Sequence, residues 1–187
     1  MSNWTRRQWM QAAIAGGVGA TLSGLALAEG KLVGETPRPE RAIELFNTHT
    51  SETVSVVYRR GADYDSAALE KLHHVMRDHR NGEAHDIDVG LYDQLYDLAV
   101  AARRDARYDI ISGYRSPESN SKMAAASRGV AKHSLHMQGR AIDVRLHHCS
   151  CADLRDLALA AAKGGVGYYN RSDFVHLDTG RFRTWTG

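Results

Sequence analysis

Cysteine is almost missing from this chain: two in 187 residues, Cys149 and Cys151, with one residue between them. A disulfide across so short a loop is strained, so no cross-linked framework holds the fold. Proline is equally scarce; Pro37 and Pro39 fall in the segment 29–41, which reads as a linker. Internal repeats and low-complexity tracts are lacking as well. A surplus of one charge is missing too. The formal charge of +2 rests on Arg6 and Arg7, and without the first 28 residues it is zero. Scattered, balanced charge leaves no electrostatic footprint for nucleic acid.

The one long apolar run, Ala12 to Ala28, follows Thr5-Arg6-Arg7-Gln8-Trp9-Met10 and ends in Ala26-Leu27-Ala28. A charged start, an apolar centre and an A-x-A ending predict a signal peptide over 1–28, with the paired arginines pointing to twin-arginine export. At about 17 residues the run sits at the lower limit for a membrane span, so an uncleaved anchor is the alternative. No cysteine near the cleavage site suggests a lipoprotein. The expected product is periplasmic, without stable membrane insertion once the signal is removed. One domain over 42–187 fits the remaining length.

Within it, Thr53–Tyr58 alternates as a half-buried strand, and Asp65 caps a predicted helix over about 66–80. A second helix is predicted from Asp88 to Arg104, then a strand over Tyr108–Ile111 and a helix from Pro117 to about Arg128, capped by Ser116. Ala141–Leu146 alternates, Asp153–Lys163 reads as a helix stopped by Gly164-Gly165, and strands follow over Val166–Tyr169 and Phe174–Asp178. In the last strand Phe174, His176 and Asp178 share a face. The order predicts an α+β fold, a small antiparallel sheet flanked by helices.

His136 and Asp143 lie seven residues apart, with Gly139 permitting a tight return between them, and His176 joins them if the later strand pairs with the earlier. Two imidazoles and a carboxylate are a three-ligand set that leaves zinc an open position for activating water. Iron suits the same donors. Taken singly, His176 also reads as a satisfied core histidine, and Asp143 as a salt-bridge partner of Arg115. His147-His148-Cys149-Ser150-Cys151 has soft donors but lacks the spacing of structural zinc motifs. Ser112, Ser116 and Ser134 lack the strand-turn-helix elbow of a serine nucleophile.

The pattern S-x-H-x-x-G-x-A-x-D from Ser134 to Asp143, followed by Val175-His176-Leu177-Asp178, resembles the zinc D-alanyl-D-alanine metallopeptidases, which share their fold with the hedgehog signalling domain. Gly90–Tyr96, Ile111–Ser116, Ser127–Lys132 and Gly164–Tyr169 extend the likeness to the murein endopeptidase K family. The resemblance implies that His136, Asp143 and His176 hold Zn2+, that Arg115 steadies an oxyanion, and that Ser134 hydrogen-bonds substrate or a metal ligand. Related dipeptidases carry a glutamate three residues before the last zinc histidine. Asp173 stands there in this chain and is the expected general base, with Asp178 and His133 as competitors. Asp178 alternatively orients His176.

The substrate so implied is a peptidoglycan stem-peptide crosslink, cut by an endopeptidase. Carboxypeptidase trimming of uncrosslinked stems is the alternative, and a zinc-stabilised module that binds peptidoglycan without cutting it is the rival from another class. Tyr114, Tyr168, Tyr169 and Trp185 are candidates for a peptide groove or for packing.

Overall fold

The structure, a computed structural model, describes residues 39–126 and 131–187. The signal segment 1–28, most of the linker and Ser127–Val130 of the resemblance lie outside the described residues. Three strands open the fold: β1 (Glu40–Asn47), β2 (Thr53–Arg60) and β3 (Asp63–Tyr64). Helices α1 (Ser66–Val75) and α2 (Val89–Ala101), strand β4 (Arg107–Ser112) and helix α3 (Pro117–Ala126) follow. A short 3-10 turn (Leu135–Gln138) leads into β5 (Ala141–Leu146), then α4 (Cys151–Ala161), β6 (Gly165–Tyr169), β7 (Phe174–Asp178) and β8 (Arg183–Thr186).

The fold is α+β, as the sequence predicts, but the sheet is larger than expected. Its eight strands run β3-β2-β1-β4-β5-β7-β6-β8. The central β4-β5-β7-β6 portion is antiparallel, while β1 pairs with β4 and β8 with β6 in parallel. The linker ends earlier than expected, because Glu40 and Arg41 already belong to β1.

Helix starts are fixed by side-chain oxygens that take otherwise unpaired backbone N–H groups. Asp65 accepts from Ala68 N, Asp88 from Gly90 N, and Ser150 from Asp153 N. Ser116 accepts from Ser119 N immediately before Pro117. Helix α1 stops at Val75 rather than near residue 80, because the chain turns to serve β4's exit: Met76 O accepts from Tyr114 N, and buried Asp78 accepts from Ser116 N and Oγ.

One apolar core joins the sheet to α1, α2 and α4. On the sheet it consists of alternate residues brought side by side by register: Leu45 beside Tyr108, Ile110 beside Val144, Ile142 beside Leu177, Val166 beside Leu177. Alternation sends the intervening residues to the other face. Across that face, register lines up Ser112, Asp143, His176, Gly167 and Trp185 in a single row.

Candidate metal centre and active site

Asp143 and His176 are direct cross-strand partners on β5 and β7. His136 comes from the 3-10 turn, where Ser134 Oγ accepts from His136 N and Gly139 closes the turn at φ 64°. A side chain at Gly139 would also collide with Asp86 O, its Cβ only 2.1 Å away. Backbone bonds hold the turn to the strand exit, with Arg115 N donating to His136 O.

The three donor atoms converge. His136 Nε2 lies 3.2 Å from His176 Nδ1 and 3.4 Å from Asp143 Oδ1, and His176 Nδ1 lies 2.8 Å from the same oxygen. A tetrahedral ion with bonds of about 2.0–2.2 Å needs ligand atoms roughly 3.3–3.6 Å apart, close to two of these separations. Among the described residues this is the one cluster of three His, Cys, Asp or Glu side chains with donor atoms so close together.

The outward nitrogens decide what faces the centre. His136 Nδ1 lies 2.7 Å from Gly113 O, which can only accept, so Nδ1 carries the proton and Nε2 offers a lone pair. His176 has a carboxylate at each nitrogen, Asp143 Oδ1 at 2.8 Å from Nδ1 and Asp178 Oδ2 at 3.1 Å from Nε2, so Asp178 is placed to hold the proton outward when Nδ1 serves a cation. In that tautomer two lone pairs and a carboxylate meet at one point. Burial alone raises the Asp143 carboxyl, but His136 and His176 outweigh it and hold it well below the usual carboxylate range. Burial lowers His176, and Asp143 and Asp178 outweigh that by raising it. Both shifts describe a centre that favours positive charge. The donor set fits a divalent cation.

Asp178 is fully buried and heavily used. Besides His176 it accepts from Gly165 N, Gly180 N and both terminal nitrogens of Arg183. Burial raises its carboxyl, and these bonds overcome that and depress it. A carboxylate so enclosed orients His176; it has no face left for a substrate.

A cavity of about 650 Å³ opens over the donors. Its walls include Arg115, His133, Ser134, Tyr169, Arg183 and Trp185. Arg115 is 7% exposed, and among the described residues its side chain is bonded only to neutral partners, Asn120 Oδ1 and Ser112 Oγ. Among the described residues its Nε has no partner. Burial pushes the guanidinium down from its ordinary value, against the opposing pull of Asp143. A buried cation without a carboxylate partner beside a metal-type donor set is arranged to meet negative charge. Ser134 lines the cavity while its hydroxyl caps the turn that carries His136.

Asp173, the expected general base, stands apart from the cavity in this structure. It sits at φ 51° before β7, 71% of its side chain is exposed, and its carboxylate pairs with Arg145 at 3.6 Å and hydrogen-bonds the Cys151 thiol. It does not line the cavity. The reason is the turn: at φ 51° Asp173 precedes the strand, and its side chain goes to Arg145.

The soft-donor segment makes no cluster either. His147 pairs with Asp109, and burial, followed by Asp173, pushes the Cys151 thiol up to about 12. Of the four candidate groove aromatics, Tyr169 and Trp185 reach the cavity. Tyr114 is buried against His85, and Tyr168 lies under Arg155. Arg183 escaped sequence reasoning; the signal was the alternation of Arg183 and Trp185 beside the Gly167 strand.

The comparisons with known proteins agree with this chemistry. Residues 35–185 match the family described as peptidoglycan L,D-endopeptidase MepK. The chain is 44% identical over 150 residues to the peptidoglycan L,D-endopeptidase MepK of Escherichia coli (strain K12), covering 80% of this chain and 82% of that one. The Shigella flexneri relative of the same name gives the same figures. A probable peptidoglycan L,D-endopeptidase MepK from Haemophilus influenzae is 36% identical over 183 residues, 97% of this chain and 96% of that one. No solved structure matches the chain. Motif, donor geometry and a match spanning the whole folded region lead to one assignment: the chain belongs to the peptidoglycan L,D-endopeptidase MepK family of peptidases.

Proposed function

We propose that this protein is an exported, zinc-dependent endopeptidase that hydrolyses L,D bonds in the stem-peptide crosslinks of peptidoglycan. The observation that carries the reading is the convergence of one nitrogen from each of two buried imidazoles and the Asp143 carboxylate beneath an open cavity. His136, Asp143 and His176 would hold zinc, which when bound supplies a Lewis acid that lowers the pKa of water to roughly 7.

The chain's own groups supply the rest. Arg115 stabilises negative charge on the scissile carbonyl oxygen as water adds, and Asp178 keeps His176 in the required tautomer. With Asp173 turned away and Asp178 enclosed, His133 is the imidazole that lines the cavity outside the donor set. It takes the water's proton and returns one to the leaving amine. The names of the relatives favour the endopeptidase over the carboxypeptidase, and the buried, unpaired Arg115 Nε favours catalysis over binding alone. The twin arginines and apolar run of 1–28 support export by the twin-arginine route to the periplasm, where the polymer lies. Among the described residues no helix is long and apolar enough to cross a membrane.

The test is mass-spectrometric analysis of purified crosslinked muropeptides incubated with the mature protein. Conversion of dimers to monomers, abolished by a chelator and restored by zinc, is the expected result. Shortened monomers with intact dimers mean a carboxypeptidase, and no product from zinc-loaded, folded protein means a binding module.

A further inference from the structure

We infer that Tyr169 is a second catalytic hydrogen-bond donor, placed with Arg115 to receive the negative charge that develops on the scissile carbonyl oxygen, and that Trp185 is the residue that aims it. The inference rests on the peptidase reading above and adds to it a residue and its positioning partner.

Tyr169 ends β6 on the face that carries the donor set, and both it and Arg115 line the cavity. Two contacts fix its ring. Its cross-strand partner Phe174 stacks on it at 4.5 Å and 18° between planes. Trp185 Nε1 donates to its hydroxyl oxygen at 3.1 Å. An indole N–H only donates, so the phenol oxygen is committed as an acceptor there and its own proton must go elsewhere. Among the described residues no acceptor takes that proton. A hydroxyl with a fixed oxygen and an unspent proton on a cavity wall suits an acceptor that arrives with the ligand.

Trp185 is itself tied to the centre. Gly167 stands between His176 and Trp185 in the cross-sheet row, and a Cβ at Gly167 would lie 2.5 Å from the indole ring. The missing side chain lets the indole settle 5.0 Å from the His176 ring. Arg183 stacks 5.0 Å from the same indole while gripping Asp178. The residue that orients the hydroxyl thus packs on a donor residue, which couples the tyrosine's position to the reacting bond. As water adds, the carbonyl oxygen gains charge and the phenol donates a hydrogen bond to it; the proton stays on Tyr169.

The test compares zinc-loaded wild type with Tyr169→Phe and Trp185→Phe. It reads zinc content, melting temperature, kcat and KM on a crosslinked muropeptide dimer, and affinity for a phosphinate isostere of the scissile bond. Tyr169→Phe should keep zinc and Tm, leave KM within about twofold, and lose about 10²-fold in kcat, as when one oxyanion donor is removed. Phosphinate affinity should fall by a similar factor. Trp185→Phe, which keeps a ring over His176 but removes the N–H, should shift kcat and phosphinate affinity the same way by about tenfold, a smaller part of the same effect.

Wild-type kcat in Tyr169→Phe overturns the assignment. So does a rise in KM alone, which marks simple substrate binding, or a loss of zinc, which marks a structural role. Should Tyr169→Phe fold poorly, Trp185→Phe decides by the same kcat and phosphinate criteria. A wild-type enzyme that leaves the dimer intact defeats the endopeptidase reading instead, whereas one that cuts while Tyr169→Phe matches it defeats the tyrosine assignment alone.

Discussion

Two carboxylates anchor polar clusters at opposite parts of the sheet, and they end in opposite conditions. Asp93 on α2 receives Arg41 and Tyr58 on one oxygen and Arg59 and Tyr64 on the other, at 2.6–3.2 Å. Every contact there is a donor meeting an acceptor, and the cluster ties the helix to β1, β2 and β3. Asp143 on β5 instead faces two imidazole nitrogens whose rings each have an acceptor on the far side, Gly113 O for His136 and Asp178 for His176. The first cluster is complete as it stands. The second has acceptors gathered around a point that calls for a cation. Polar groups in a fold are thus sorted less by how buried they are than by whether donors and acceptors balance.

Four substitutions sharpen that contrast. Asp143→Asn replaces the anionic donor and should have the largest effect: zinc affinity falls more than about 100-fold, beyond the loss typical of an outer hydrogen-bond partner. Metal retained after dialysis and turnover of muropeptide dimers are the two readouts, and full retention of either breaks the comparison. Asp178→Asn leaves all three donors but weakens the acceptor that fixes the His176 tautomer. Zinc affinity should then drop roughly 10–100-fold, measured by competition with a chromogenic chelator.

Asp93→Asn strikes the balanced cluster. Its cost should appear in thermal unfolding, about 2 kcal/mol from weakened charged hydrogen bonds. That corresponds to a Tm roughly 4–8 °C lower, with zinc content and kcat unchanged. A change in kcat would join the two regions functionally and blur the distinction. Asp173→Ala should be mildest for catalysis, with kcat within about twofold of wild type, since its carboxylate faces Arg145. The Cys151 thiol, pushed up to about 12 by burial and by Asp173, should become easier to alkylate at high pH. Loss of turnover in this variant would return Asp173 to the role of base.

How much of this was legible beforehand varied with the distance over which each feature is decided. His136 and Asp143 are readable because one tight turn with a left-handed glycine brings them together. His176 needs only the pairing of β5 with β7, which period-two alternation suggests. The position of Asp173 is not legible on the same grounds, because it sits at φ 51° in the turn before β7, where strand parity does not reach. Strand β1 hid behind Pro37 and Pro39, although Ile43 and Leu45 alternate with Glu44. The flanking parallel pairings, β1 with β4 and β8 with β6, depend on contacts far apart in sequence. No local pattern announces them, and so Arg183 and the full breadth of the sheet were missed.

The row Ser112, Asp143, His176, Gly167, Trp185 also constrains how such a protein can diverge. Five strands contribute one member each, so a single inserted or deleted residue within β5, β6 or β7 would turn that strand's contribution to the opposite face. Variation in the central strands is therefore confined to exchanging side chains at fixed length. Changes of length belong to the connections, such as 170–173, whose Ser172 lines the cavity without setting the register. Lineages of this fold can reshape what the cavity accepts by lengthening that turn, while the row beneath it admits no shift.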